Sequence, residues 1–270
     1  MKATHRSRTR SLGAALASLV LIGSVPSQAG SDDERRSSPS RLGLRAEEAE
    51  SGQLRQAAEP SQKKAGFPIL YVPPEIDFPA RRIGAGTRGM GRLASLQILA
   101  PDHLGYTTLE QPTLYWYLAE STPTRIDFTL RDETSVEPLV DLELPAPTEA
   151  GIQAVRLADH GVRLEPGRRY LWFVSLVPDP ERRSKDFAVG GWILRRLPDA
   201  ALRERIAAAE GREALVYAEN GLGYDALGSL ALRIAATPGN PAPRELRAAL
   251  LEQVGLSEAA AYDRERAAER

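Results

Sequence analysis

The chain contains no cysteine and only three histidines, His5, His103 and His160. The first absence removes disulfides, a thiolate nucleophile, cysteine-bound metals and lipidation at a leader cysteine. The second leaves zinc chemistry without its usual donors, because two histidines beyond the first few residues lie far apart, neither at helical i, i+4 spacing. Both follow an aspartate in segments that read as loops, where a solvated imidazole is the expected state. A G-x-S-x-G nucleophile elbow is also missing, so acyl transfer has no visible starting point. Clustered positive charge is missing too. Four of the 35 basic residues fall within the first 29 positions, leaving 31 against 36 acids and a net charge of −5 for the remainder. Such a balance excludes the electrostatic footprint of a nucleic-acid binder.

What is present begins with a compartment signal. Lys2, Arg6, Arg8 and Arg10 precede an apolar stretch from Leu12 to Ile22, Gly23 and Pro26 interrupt it, and Ser27-Gln28-Ala29 supplies small residues before a cut. This pattern predicts a signal peptide over residues 1–29, with Gly30 as the mature start and the periplasm or the exterior as destination. The apolar stretch is about a dozen residues, short of the roughly 20 that span a bilayer, and nothing later approaches that length.

Residues 30–66 are rich in Ser, Asp, Glu, Arg and Gln, with almost no large apolar side chain, and are expected to form a disordered tether. A Pro- and Gly-rich lead-in follows over residues 67–93. It includes Gly84-Ala85-Gly86-Thr87-Arg88-Gly89, a literal G-x-G-x-x-G, but Pro79 to Arg82 is no buried strand and Met90-Gly91-Arg92 opens no helix. The context for a dinucleotide site is therefore absent, and no cofactor is expected.

Between residues 94 and 196 the hydrophobic period becomes two, in about seven short segments broken by Pro, Gly and Asp. Leu114, Trp116 and Leu118 share a face, as do Ile126, Phe128 and Leu130, then Val140, Leu142 and Leu144, with Asp141 and Glu143 on the opposite side. Leu164 to Trp172 sets a Pro-Gly turn ahead of a strand that presents Tyr170, Trp172, Val174 and Leu176. That arrangement resembles the tyrosine corner of immunoglobulin-like and fibronectin type III sandwiches, in which the hydroxyl bonds back to upstream backbone. The expected fold is mixed β plus α: an immunoglobulin-like antiparallel β-sandwich followed by a helical segment.

From residue 197 to 270 the spacing is helical and rich in alanine, with Pro198-Asp199 as a start signal and Gly211 and Asn220-Gly221 as stops. Leu227, Leu230, Ala231 and Ile234 form an apolar stripe, another helix is expected from Pro243 to Val254, and Ser257 is placed as the cap of a last one. Ala214, Tyr217, Ala226, Leu230 and Pro238 stand at tetratricopeptide-like spacings. A single such unit cannot bury its own face, so it has to pack on the sandwich, on another chain, or on a partner's repeats.

Several stretches together resemble the bacterial domain of unknown function 928 family, common in cyanobacteria. They are Arg81 to Gly89, Gln111 to Tyr117, Leu164 to Trp172, Asp179 to Asp186 with Gly191-Trp192-Ile193, and Tyr217 to Gly221 ahead of Tyr224 to Leu227. The resemblance spans roughly residues 78 to 258. It implies an exported protein of this architecture and brings no established activity and no functional residues.

Two surfaces are candidates for contact. Arg182, Arg183, Ser184, Lys185 and Asp186 crowd a loop at one end of the sandwich, where this architecture builds recognition; the partner could be an acidic protein segment or an anionic glycan. Tyr115 and Tyr117 lie on the outward face of the Trp116 strand. The preferred reading is a non-catalytic periplasmic or secreted protein-interaction module with an unidentified envelope or extracellular partner. The alternative is carbohydrate binding or hydrolysis on a sandwich face, using those tyrosines with carboxylates such as Asp127, Asp132, Glu133, Asp141 or Glu143. The two differ in whether the Tyr rings stand open in a groove or lie under helices.

Overall fold

A computed structural model describes residues 69–75, 78–84, 96–146 and 148–269. The leader, the tether and the glycine run beyond Gly84 lie outside the described residues. The strands are β1 (Leu96–Ile98), β2 (Gly105–Thr107), β3 (Thr113–Leu118), β4 (Arg125–Asp132), β5 (Pro138–Leu144), β6 (Gly151–Arg156), β7 (Arg169–Val177) and β8 (Phe187–Arg195). The helices are α1 (Ala200–Ala207), α2 (Glu213–Glu219), α3 (Gly223–Ala236), α4 (Ala242–Gln253) and α5 (Ser257–Ala268). No helix among the described residues is long and apolar enough to cross a membrane.

Two sheets form, a small one in the order β1-β3-β6 and a large one in the order β2-β8-β7-β4-β5. Alternating side chains fill the space between them. Trp116 from the small sheet and Ile126, Phe128, Leu130, Trp172, Val174 and Ile193 from the large one share one core, each 2% exposed or less. Each such side chain contributes on the order of 1.5–3 kcal/mol by leaving water. The Tyr170 hydroxyl accepts the Glu165 amide hydrogen at 2.8 Å, tying the Pro-Gly turn to the strand it feeds.

The antiparallel expectation needs one correction. β2 pairs with β8 in parallel, Gly105 opposite Ile193. Its three residues carry too short an alternation to be read as a strand. The loop after β1 carries the chain out of the small sheet and lays β2 along the open edge of β8. Glycine is required at its start, because the Tyr224 ring occupies the place of a side chain at Gly105. Further along the same edge, Ile83 exchanges two backbone hydrogen bonds of 2.8 Å with Gly190, so part of the lead-in also finishes the sheet.

Helices α2 to α5 pack on the far side of the small sheet. Leu99 and Tyr117 enter a second core with Ala218, Leu227, Leu230, Leu251 and Ala260. The described residues are thus layered as large sheet, small sheet, helices, and β3 is covered on both faces. An extended segment at residues 69–75 joins this second core. Ile69 and Tyr71 are buried in it, the Tyr71 amide donates to Gln253 Oε1 at 2.9 Å, and the Val72 amide donates to the Ala218 carbonyl at 3.1 Å.

Helix boundaries follow local chemistry. Asp199 caps α1 by accepting the Leu202 amide hydrogen at 2.8 Å. Gly221 takes a left-handed φ of 69° directly after the Asn220 cap of α2, and Gly211, at 84°, lies in the turn between α1 and α2. Ser257 is the first residue of α5 rather than its cap; Leu256 holds that position, and the Ser257 hydroxyl turns to Glu252 Oε1 at 3.3 Å.

Candidate functional site

Among the described residues no helix covers the outer face of the large sheet, where Phe78 packs on Trp192 at one side and a row of alternating charges crosses the other. Arg125 donates to Asp127 from Nε at 2.6 Å and from Nη2 at 3.0 Å, and the same Nη2 stands 2.8 Å from Glu143 Oε1. From the β7–β8 loop, Arg183 reaches Asp127 Oδ2 at 2.7 Å and Asp186 Oδ2 at 2.8 Å. The row therefore links that loop, through β4, to β5. Burial disfavours the charged form of Asp127, but the hydrogen bonds from Arg125 and Arg183 outweigh it and hold the carboxyl below its ordinary range.

The rest of the loop is paired within itself. Arg182 stands 3.6 Å and Lys185 4.0 Å from Asp179 Oδ2, while Ser184 is exposed on the single turn of 3-10 helix between them. Every cation here thus has a carboxylate within ion-pair distance, and an anionic ligand would have to compete with those carboxylates. Exposed pairs of this kind contribute up to about 1 kcal/mol each, so the cations remain exchangeable.

Tyr115 and Tyr117 sit elsewhere, on the outer face of the small sheet and under the helices. Tyr117 is 8% exposed, with its ring 5.5 Å from that of Tyr262 on α5, and Tyr115 is half-buried against the same core. Burial raises the pKa of both phenols. The structure brings Arg183 and Asp186 together with Asp127 and, through Arg125, Glu143, leaves Arg182 and Lys185 on Asp179, and places the two tyrosines on a different sheet. Of the carboxylates weighed for hydrolysis, Asp127 and Glu143 stand opposite each other across β4 and β5 and share Arg125, with Asp141 beside them opposite Thr129, whereas Asp132 and Glu133 are engaged elsewhere. Asp132 caps the β4–β5 turn by accepting from the Thr134 amide at 2.8 Å and pairs with Arg168 at 2.9 Å, while Glu133 pairs with Arg169 at 2.7 Å.

The histidines part company as well. His160 is exposed, whereas His103 is half-buried, with Nε2 3.0 Å from the Tyr71 hydroxyl and Nδ1 2.9 Å from the Leu104 carbonyl. That is a satisfied joint between the 69–75 segment and the β1–β2 loop, and it corrects the solvated reading.

Three features were not found in the sequence. Asp225, 2% exposed at the start of α3, accepts hydrogen bonds from the Thr107 hydroxyl and from the Thr108 amide and hydroxyl at 2.7 and 2.6 Å, fastening the helix to β2. Beside that junction a cleft of about 260 Å³ opens between Thr108, Arg196, Leu197, Arg205 and Asn220. The third is the far side of β5. This strand ends the large sheet, and among the described residues no backbone group of Pro138–Leu144 bonds to anything outside the β4 ladder. Its sequence signal is the acidic alternation of Asp141 and Glu143 with Val140, Leu142 and Leu144.

Against known proteins, the chain matches the family model described as Domain of Unknown Function (DUF928) over residues 83–263, and it belongs to that family. No curated protein matches. Among solved structures, a multi-domain immunophilin from Arabidopsis thaliana matches at 13% identity, covering 73% of this chain and 99% of that one. Its TM-score of 0.17 means that no fold argument follows from it.

Proposed function

We propose that this member of the DUF928 family is an exported, non-catalytic protein-interaction module acting in the periplasm or outside the cell. It presents the outer face of the large sheet and the Arg182–Asp186 loop to a partner. The observation that carries this reading is the layering. Helices α2 to α5 are spent on covering the small sheet of their own chain, which leaves the charge row from Asp186 to Glu143 as the patterned open surface. Alternating charges favour orientation and selectivity over chemistry, because each carboxylate of the row already has an arginine within 2.8 Å. A glycan platform on Tyr115 and Tyr117 loses its support, since those rings lie beneath α-helices and away from the acidic face.

The test has two parts. Fractionation with amino-terminal sequencing should recover a mature chain starting at Gly30 outside the cytoplasm; a cytoplasmic chain starting at Met1 would refute export. Affinity capture from the envelope fraction should retain a partner with the native chain and lose it with Arg182→Ala/Arg183→Ala. Equal recovery by both would remove the loop from the interaction.

A further inference from the structure

We propose that the free edge of β5 is a docking strand for an extended protein segment whose residues alternate between apolar and basic. Three observations converge on it. First, the seven residues of β5 keep their far-side amides and carbonyls without partners among the described residues, and Pro138, which cannot donate, stands at the start of the strand as edge strands allow. An incoming strand would find a ready ladder there.

Second, the inner face of this edge is apolar and incompletely covered. The small sheet has three strands against five, and Leu142 and Leu144 stay partly exposed although Val140, on the same side, is 5% exposed. Alternate side chains of an added strand, lying one strand spacing of about 4.8 Å further out, would extend this apolar surface and complete the cover of the two leucines. Third, the outer face of the same edge is acidic. Asp141 and Glu143 are exposed on it; among the described residues Glu143 has Arg125 at 2.8 Å, and Asp141 accepts from the Thr129 hydroxyl at 3.1 Å with no cation within ion-pair distance. The other set of side chains on an incoming strand would stand about 5 Å from these carboxylates, where opposite charges stabilise and like charges repel.

That charge pattern also decides against a second copy of the chain. Two β5 strands paired antiparallel would bring Asp141 and Glu143 of one against those of the other. The partner is instead a segment with arginine or lysine at every second position. The inference deepens the interaction reading and rests on it, yet the two fail separately. The capture experiment above reads the Arg182–Arg183 loop, whereas the following one reads the edge alone.

Fluorescence anisotropy with the full chain would use an octapeptide alternating Val and Arg, its Val and Glu counterpart, and two versions of the first. One version is N-methylated at every Val and the other at every Arg. The Val-Arg peptide is expected to bind at least about tenfold more tightly than the Val-Glu peptide. Only one methylated version should lose binding, because an edge ladder uses the amides of alternate residues. Asp141→Lys/Glu143→Lys should invert the preference. Equal affinities, insensitivity to both methylations, or no binding would overturn the proposal. Dimerisation of the free chain in sedimentation, abolished by the Asp141→Lys/Glu143→Lys variant, would assign the edge to a second copy and overturn it as well. The methylated peptides keep the test decisive should the charge-reversed variant fail to fold.

Discussion

Asp263→Asn is expected to be among the most destabilising single polar substitutions in the helical layer. Asp263 on α5 is fully buried and takes two hydrogen bonds from Arg247 on α4, at 2.6 and 2.7 Å, with Arg247 itself 5% exposed and Arg244 3.8 Å away. Removing the carboxylate leaves a guanidinium out of water with a neutral acceptor. Breaking a buried pair in this way costs about 3–5 kcal/mol. At about 2–4 °C per kcal/mol for a domain of this size, the midpoint of thermal unfolding should fall by roughly 6–20 °C. Arg247→Met should be comparably damaging, since it strands Asp263. The informative variant is the double, Arg247→Met/Asp263→Leu, which removes both desolvation penalties and should lie closer to the native chain than either single. Urea unfolding followed by far-UV circular dichroism measures all three. If Asp263→Asn fell within about 0.5 kcal/mol of the native chain, the range of ordinary surface changes, the assignment of α4 and α5 as a charge-clamped pair would be wrong. The same holds if the double variant lost the sum of the singles.

Two further predictions concern the junctions between layers. Tyr170→Phe removes the acceptor of the Glu165 amide and should lower stability by about 1–3 kcal/mol in urea melts without altering the far-UV spectrum of the folded state. Burial pushes the Asp225 carboxyl above its ordinary pKa, with the Thr107 and Thr108 hydrogen bonds pulling the other way. A folded-state pKa above the unfolded one means the folded chain holds that proton more tightly. Its contribution is full below the unfolded value and is lost as pH rises through the folded value. Asp225→Asn should therefore flatten the fall in stability above about pH 4, checked by urea midpoints across a pH series; an unchanged slope would count against the junction as described.

The two-residue alternation exposed most of the sandwich. Ile126, Phe128 and Leu130 point inward as their spacing dictates, and Asp199 and Gly221 mark helix limits because their chemistry is local. Elsewhere the deciding contact was remote in sequence. Tyr115 and Tyr117 alternate with Trp116 as an outward face should, and nothing local indicates that residues beyond 217 cover that face. β2 is only Gly-Tyr-Thr, and its parallel pairing depends on β8 more than eighty residues later. Within the candidate site, the basic loop was legible as a charge cluster. Its pairing with Asp127 was not, because that aspartate reads as one more polar position on a half-exposed strand.

The Trp172 indole donates to the Tyr224 hydroxyl at 2.9 Å, and that hydroxyl donates to the Trp192 carbonyl at 3.1 Å, so the first turn of α3 is anchored inside the core between the sheets. A helix rooted in that way cannot be peeled from the strands as an accessory. Ending a recombinant fragment at residue 196, where the alternating pattern stops, would pull a plug from the sandwich and bare a second apolar surface at once. Strands and helices should consequently be expressed, purified and melted together, as one cooperative object.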